Sequence, residues 1–208
     1  EGVLNISGSV EGEGGKVIGR AVASGSRLTV KRLPFEDLRV ELGFDSRQVR
    51  IRSARFRLFG GLGEATAEIP WKGDSKAVGT VQAQRLRLQA VLRNWGVTTF
   101  PLEADLDVEA RATWPGWGFS RAEVLGTVSN RVFVLKDREI EPAPTLAGEI
   151  PFRLQDGWVR FFGARVGSSD TSLLADGRVN FRGELEVFSR IQSSEAREVW
   201  AYSRAFGG

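Results

Sequence analysis

Asp105 and Asp107, and again Glu184 and Glu186, place two carboxylates two residues apart. Carboxylate pairs serve glycoside hydrolysis, one as acid and the other as nucleophile or base. Along a strand, the same spacing puts both groups on one solvated face. The chain contains no His and no Cys, which removes Ser-His-Asp and thiol catalysis, disulfides and ordinary zinc sites. A metal would need carboxylates and carbonyls alone, and no calcium loop of EF-hand type occurs. Two glycine clusters, Gly12-Glu13-Gly14-Gly15 and Gly60-Gly61-Leu62-Gly63, lack both the dinucleotide spacing and the Lys-Ser/Thr ending of phosphate-binding loops. They read as turns. No catalytic residue, metal or cofactor is assigned.

Charge and aromatic content are more informative about partners. Only five of the 29 basic residues are lysine, so 24 are arginine, and the net charge is +3. Arginine binds phosphate and carboxylate through a planar fork. These charges are dispersed along the chain and form no basic patch of the nucleic-acid kind, so no nucleic-acid partner is expected. Six tryptophans, Trp71, Trp95, Trp114, Trp117, Trp158 and Trp200, fall mostly at strand ends or turns. Such positions suit edge packing or an aromatic belt at a membrane interface.

The elements that must carry these residues are strands. Leu102, Ala104, Leu106, Val108, Ala110, Ala112 and Trp114 alternate with Glu103, Asp105, Asp107, Glu109, Arg111 and Thr113. A period of two over that length specifies one dry and one wet face. Shorter versions recur from Leu4 to Ile191. In Val49–Leu58 the apolar phase shifts by one residue, from Val49 and Ile51 to Ala54, Phe56 and Leu58, which predicts a bulge or a break. The even-numbered pattern of Val78–Leu92 predicts a strand. Asp156-Gly157 and Asp176-Gly177 read as hairpin turns. Strands read this way are mostly short, below the roughly 9–11 residues of a membrane-spanning barrel strand. After Ser193, Ala196, Val199, Trp200 and Ser203 have helical spacing and predict one short C-terminal helix. With no initiator Met and no signal peptide, residues 1–208 read as one module cut from a longer chain. The Pro-containing stretch 137–146 is a sub-boundary between 1–136 and 147–208.

Two stretches repeat a common grammar. One runs Ala147-Gly148-Glu149-Ile150-Pro151-Phe152-Arg153-Leu154-Gln155-Asp156-Gly157 and continues from Leu173 to Val187; the other is Arg55–Ile69. This succession of apolar-Pro-Phe, alternating strand, Asp-Gly and glycine turn resembles the AsmA-like / TamB family of bacterial envelope proteins. The resemblance implies an all-β fold, a long, strongly curved and mostly antiparallel sheet forming an open groove. It also implies phospholipid movement between inner and outer membranes in the periplasm, with anchorage through parts not in this chain. Implied partners are an acyl lipid such as phospholipid, neighbouring segments of the same protein and an outer-membrane assembly protein.

On that reading Leu86, Leu88, Leu92, Leu102, Leu106, Val108, Phe152 and Leu154 line the groove, and Arg85, Arg87, Arg153 and Arg160 meet headgroups. An acyl chain gains roughly 0.8 kcal/mol per buried methylene without needing a hydrogen-bond partner. The alternatives are a closed β-sandwich whose dry faces form its own core, and a scaffold for outer-membrane protein assembly. A transmembrane barrel ranks below both, and an enzyme last.

Overall fold

Alternation becomes strand almost everywhere the sequence displays it. The computed structural model describes residues 2–13, 16–30, 32–72, 75–94, 96, 102–135, 145–180, 184–195 and 199. The side chains of residues 13, 16, 102, 131–135, 145, 146 and 185 lie outside that description. Twelve strands follow in order: β1 Asn5–Glu13, β2 Lys16–Val30, β3 Leu33–Phe44, β4 Gln48–Leu58, β5 Gly61–Pro70, β6 Lys76–Arg87, β7 Leu102–Pro115, β8 Glu123–Leu135, β9 Thr145–Gln155, β10 Trp158–Gly167, β11 Thr171–Asn180 and β12 Leu185–Ser193. They form one antiparallel, all-β sheet in sequential order, open at β1 and β12. Every strand has between 9 and 15 residues. The expectation of short strands is therefore corrected, and strand length no longer argues against a membrane barrel.

Contacts divide the chain into two compact units, Glu1–Gln84 with Glu109–Leu125 and Arg85–Val108 with Gly126–Gly208. The sub-boundary expected near 137–146 lies outside the described residues, apart from Thr145 and Leu146 at the start of β9.

In the first unit, cross-strand register fixes the faces, since directly paired residues share one. Val10, Gly19 and Phe44 follow one another across β1–β3. Val40, Ala54, Ala65 and Val81 do so across β3–β6. The opposite face carries ionic rungs such as Arg55 with Glu64 at 2.9 Å. The phase shift in β4 is a bulge within one continuous strand: Ile51 pairs with Ala67 and the next pair is Ala54 with Ala65. Arg52 and Ser53 occupy the extra space, and the apolar residues on both sides keep one face. Asp37, at positive φ, marks the same device in β3, where Glu36 pairs with Arg57 and the next pair is Arg39 with Arg55, returning Leu38 to the dry side.

The second unit repeats this arrangement. Leu154, Val159, Val179 and Leu185 share one face by register, as do Phe152, Phe161, Gly177 and Val187. Its bulge falls between Phe161 and Ala164, where the Gly163 N–H donates to Asp176 Oδ1 at 2.7 Å.

One expectation changes, and one lies mostly outside the described residues. Leu88–Asn94 is a helix, α1, and does not continue β6 as predicted. The stretch has no Gly or Pro, and Leu88, Val91 and Leu92 stand at i, i+3 and i+4, so helical spacing wins once Arg85 turns left-handed. The predicted C-terminal helix lies outside the described residues except at Val199, whose N–H reaches the Glu195 carbonyl at 3.4 Å.

Candidate functional site

The candidate site is the dry face. From Ile6 in β1 to Ala83 in β6, every side chain that register places on this face is Gly, Ala, Val, Leu, Ile or Phe. A sandwich would need a second sheet to cover such a face, and the strands of this unit all belong to one sheet. Burial agrees. Ala23, Ala54, Phe56, Ala67, Ala77 and Ala83 are buried, yet no large side chain among the described residues is fully sealed from solvent. Val40, Leu42, Ile51 and Val81 are half-buried.

Rings on the dry face are paired with glycines. Phe44 lies across Gly19, Phe56 across Gly63 and Phe161 across Gly177, each directly paired, and a Cβ on any of the three glycines would overlap the ring. Trp114 covers Gly79, where a Cβ would stand 3.1 Å from the indole. An aromatic ring can lie flat on a sheet only where the next strand offers no side chain, so glycine here provides space. Trp114 also anchors a small buried cluster with Ala67 and Ala77.

The groove residues expected from sequence sort as follows. Phe152 and Leu154 lie half-buried on the dry face of the second unit, with Phe161 and Val159 opposite. Leu106 and Val108 are half-buried on β7, and Leu86 is buried. Leu88 and Leu92 belong to α1 and are half-buried there. Leu102 begins β7, with its side chain outside the described residues.

The arginines are placed differently. Arg153 and Arg160 pair directly, and Arg160 pairs with Arg178, all on the face opposite Phe152 and Leu154. Arg178 closes that row by a bidentate bond to Glu186 at 2.7 and 2.8 Å, and its guanidinium lies 4.7 Å from the Trp158 ring. The hydrogen bond from Arg178 holds the Glu186 carboxyl below its usual range. Arg85 and Arg87 are exposed, and the Arg85 backbone N–H donates to Asp107 Oδ1 at 2.9 Å. Glu184 takes its bond from Asn180 Nδ2. Three of the four paired carboxylates, Asp107, Glu184 and Glu186, are thus engaged in holding the fold.

Sequence reasoning left one feature of the first unit undeveloped. Three turn segments at one end of its strands hold one another: 45–47, 71–72 with 75, and 116–122. The Trp71 Nε1–H donates to the Asp45 carbonyl at 2.6 Å, and the Trp71 N–H to the Arg47 carbonyl at 2.9 Å. The Gly116 N–H donates to the Ser75 carbonyl at 3.0 Å. Trp71 and Trp117 stack at 5.6 Å, and Phe119 meets buried Trp114 edge-on at 5.2 Å. The signal in the sequence was three tryptophans beside turn residues.

Asp45 organises this end. Its Oδ1 accepts the backbone N–H groups of Arg47 at 2.7 Å and Gln48 at 3.1 Å. The bond from Arg47 is the main reason its carboxyl lies below the ordinary range. A depressed folded-state pKa stabilises above the unfolded value and is lost as pH falls through the folded one. On acidification the Arg47 amide resonance is expected to move with an inflection below the usual Asp range. In Asp45→Asn that inflection should disappear, and its persistence would remove Asp45 from the turn.

Comparison with protein-family models, with curated proteins and with solved structures finds no match for this chain.

Proposed function

We propose that the chain is a non-enzymatic lipid-transfer module of a bacterial envelope, its apolar faces shielding phospholipid acyl chains in transit between inner and outer membranes. The observation that carries this reading is the dry face of β1–β6, on which register places no polar side chain among the described residues. A hydrocarbon chain needs only that, and each methylene taken from water contributes roughly 0.8 kcal/mol. The bulges support it as well. Each sets two consecutive residues on the polar side, and a bulged strand bends, as a strand wrapping its apolar side around a ligand must.

Headgroups then remain at the margins in water. Arg153 and Arg160, on the polar face, can reach them only around a strand end, by extending their long stems. A second reading follows from the edges. The nine-residue strands β1 and β12 expose Ile6, Val10, Phe188 and Ile191 beside unpaired backbone, which suits strand addition to a partner in outer-membrane protein assembly.

Native mass spectrometry with lipid extraction of the purified chain tests the first reading. Bound phospholipid is expected, together with uptake of labelled phospholipid from vesicles by delipidated protein. Failure of both would sink lipid carriage.

A further inference from the structure

The three-turn end of the first unit is not used by lipid carriage. It exposes the largest aromatic surface described at any set of turns: Trp71 is 45% exposed, Trp117 57% and Phe119 59%. Tryptophan at strand ends, with an apolar body and one N–H donor, matches the headgroup level of a bilayer. The Trp71 donor is already satisfied by the Asp45 carbonyl, so its indole is held in place and loses no freedom on docking. Trp117 stacks on it, and Phe119 rests against buried Trp114. The aromatic tip is therefore rigid before it meets anything.

Charge selects the occupant. The turn segments and the residues next to them in sequence carry Arg47, Lys72, Lys76 and Arg121 against Asp45, Asp74 and Glu123, a net charge of +1. Asp45 spends its carboxylate on backbone N–H groups within the turn. Exposed rings on turns of net positive charge fit an anionic membrane surface, where each Lys or Arg near the surface adds to attraction and the rings enter the headgroup layer.

We propose that this tip, Trp71, Trp117 and Phe119 with Arg47, Lys72 and Arg121, docks the protein on anionic phospholipid bilayers. The inference stands apart from lipid carriage, since a tip can hold a bilayer whether or not the dry face carries a chain.

The test uses the whole 208-residue chain with vesicles of phosphatidylcholine, with and without phosphatidylglycerol. The wild type is expected to co-sediment with the anionic vesicles, with a blue-shifted tryptophan emission that brominated lipid quenches. Trp117→Ala with Phe119→Ala should lower vesicle affinity by at least about tenfold, from the apolar surface lost. Lys72→Glu with Arg121→Glu leaves the ring packing alone and should weaken binding to anionic vesicles while shrinking its salt dependence. Copurified lipid should persist in both variants, which separates loss of docking from loss of carriage. Vesicle binding unchanged in both variants would overturn the inference. So would a wild type that ignores vesicles and self-associates through these rings.

Discussion

Val81→Asp is expected to leave the sheet folded and to abolish phospholipid uptake. Val81 lies in the middle of β6 on the dry face, directly across from Ala65, with Gly79 and Ala83 as its neighbours along the strand. Asp is close to Val in size, and small neighbours leave it room, so overpacking is not at issue. The charge decides the outcome. In a closed core an unpaired carboxylate costs about 3–5 kcal/mol, and the protein would unfold or lose most of its stability. On a half-buried face open to water the carboxylate stays hydrated. The cost then reduces to lost apolar contact and poorer strand propensity, about 1–2 kcal/mol. Lipid loses more, because an acyl chain crossing Val81 must strip that carboxylate of water. Chemical denaturation and photoreactive phospholipid labelling, run on one preparation, read the two effects separately. Large destabilisation with the Asp variant would mean that the face is sealed by protein. Val81→Thr, near-isosteric and neutral, should fall between wild type and Asp in labelling.

Gly63→Ala is expected to destabilise by about 1–3 kcal/mol, a large effect for one methyl group. The added Cβ would overlap the Phe56 ring, which is itself buried at 8% exposure and packs edge-on against Phe35 at 5.2 Å. Phe56→Ala alone should cost no more than about 3–5 kcal/mol through lost burial and the space left behind. With the ring gone, the methyl at position 63 meets no obstacle and fills part of that space. The double variant should therefore be more stable than the sum of the single changes implies, by over ~1 kcal/mol in a double-mutant cycle. Additivity within ~0.5 kcal/mol would show that the glycine is not there to accommodate the ring. The same cycle at Gly19 and Phe44, where every close contact of an added Cβ is with the ring, checks the device on β2 and β3.

The β architecture was legible because alternation is a direct consequence of strand geometry. The β4 bulge was legible too, since a one-residue slip of phase leaves a mark in the sequence when both flanking runs are apolar. Two Asp-Gly pairs show where local signals end. Asp156 and Gly157 both adopt positive φ and turn the chain between β9 and β10, as the dipeptide suggests. Asp176 and Gly177 lie inside β11 instead. Gly177 leaves room there for the Glu186 carbonyl of β12 and the Phe161 ring of β10, and Asp176 accepts from the Gly163 N–H of β10, so the causes lie on neighbouring strands, out of reach of a reading confined to the dipeptide. Ser129-Asn130, a pair of turn-forming residue types, likewise lies inside β8.

The candidate site was half legible. Phe152, Leu154, Leu106 and Val108 fall on strand faces as alternation predicted. Leu88 and Leu92 do not lie on a strand, because a run without Gly or Pro satisfies helical and strand periods equally until a left-handed residue breaks the ladder. Which arginines border the face could not be read either. Alternation says that Arg153 opposes Phe152, but only register reveals that Arg153, Arg160 and Arg178 stand in one row across three strands.

The rings lying across glycines set the friction of the dry face. Upright aromatic side chains would be posts, and a hydrocarbon moving over the sheet would have to lift over each one and lose contact as it did so. Laid over Gly19 and Gly63, and set among Ala and Gly on β5 and β6, the rings of the first unit leave a surface of low relief. If the proposed carriage holds, a methylene leaving one site would find nearly the same contact at the next, and the roughly 0.8 kcal/mol gained by its burial would be kept as it moves. Such a face can hold a chain strongly in total while opposing its displacement only weakly at each step.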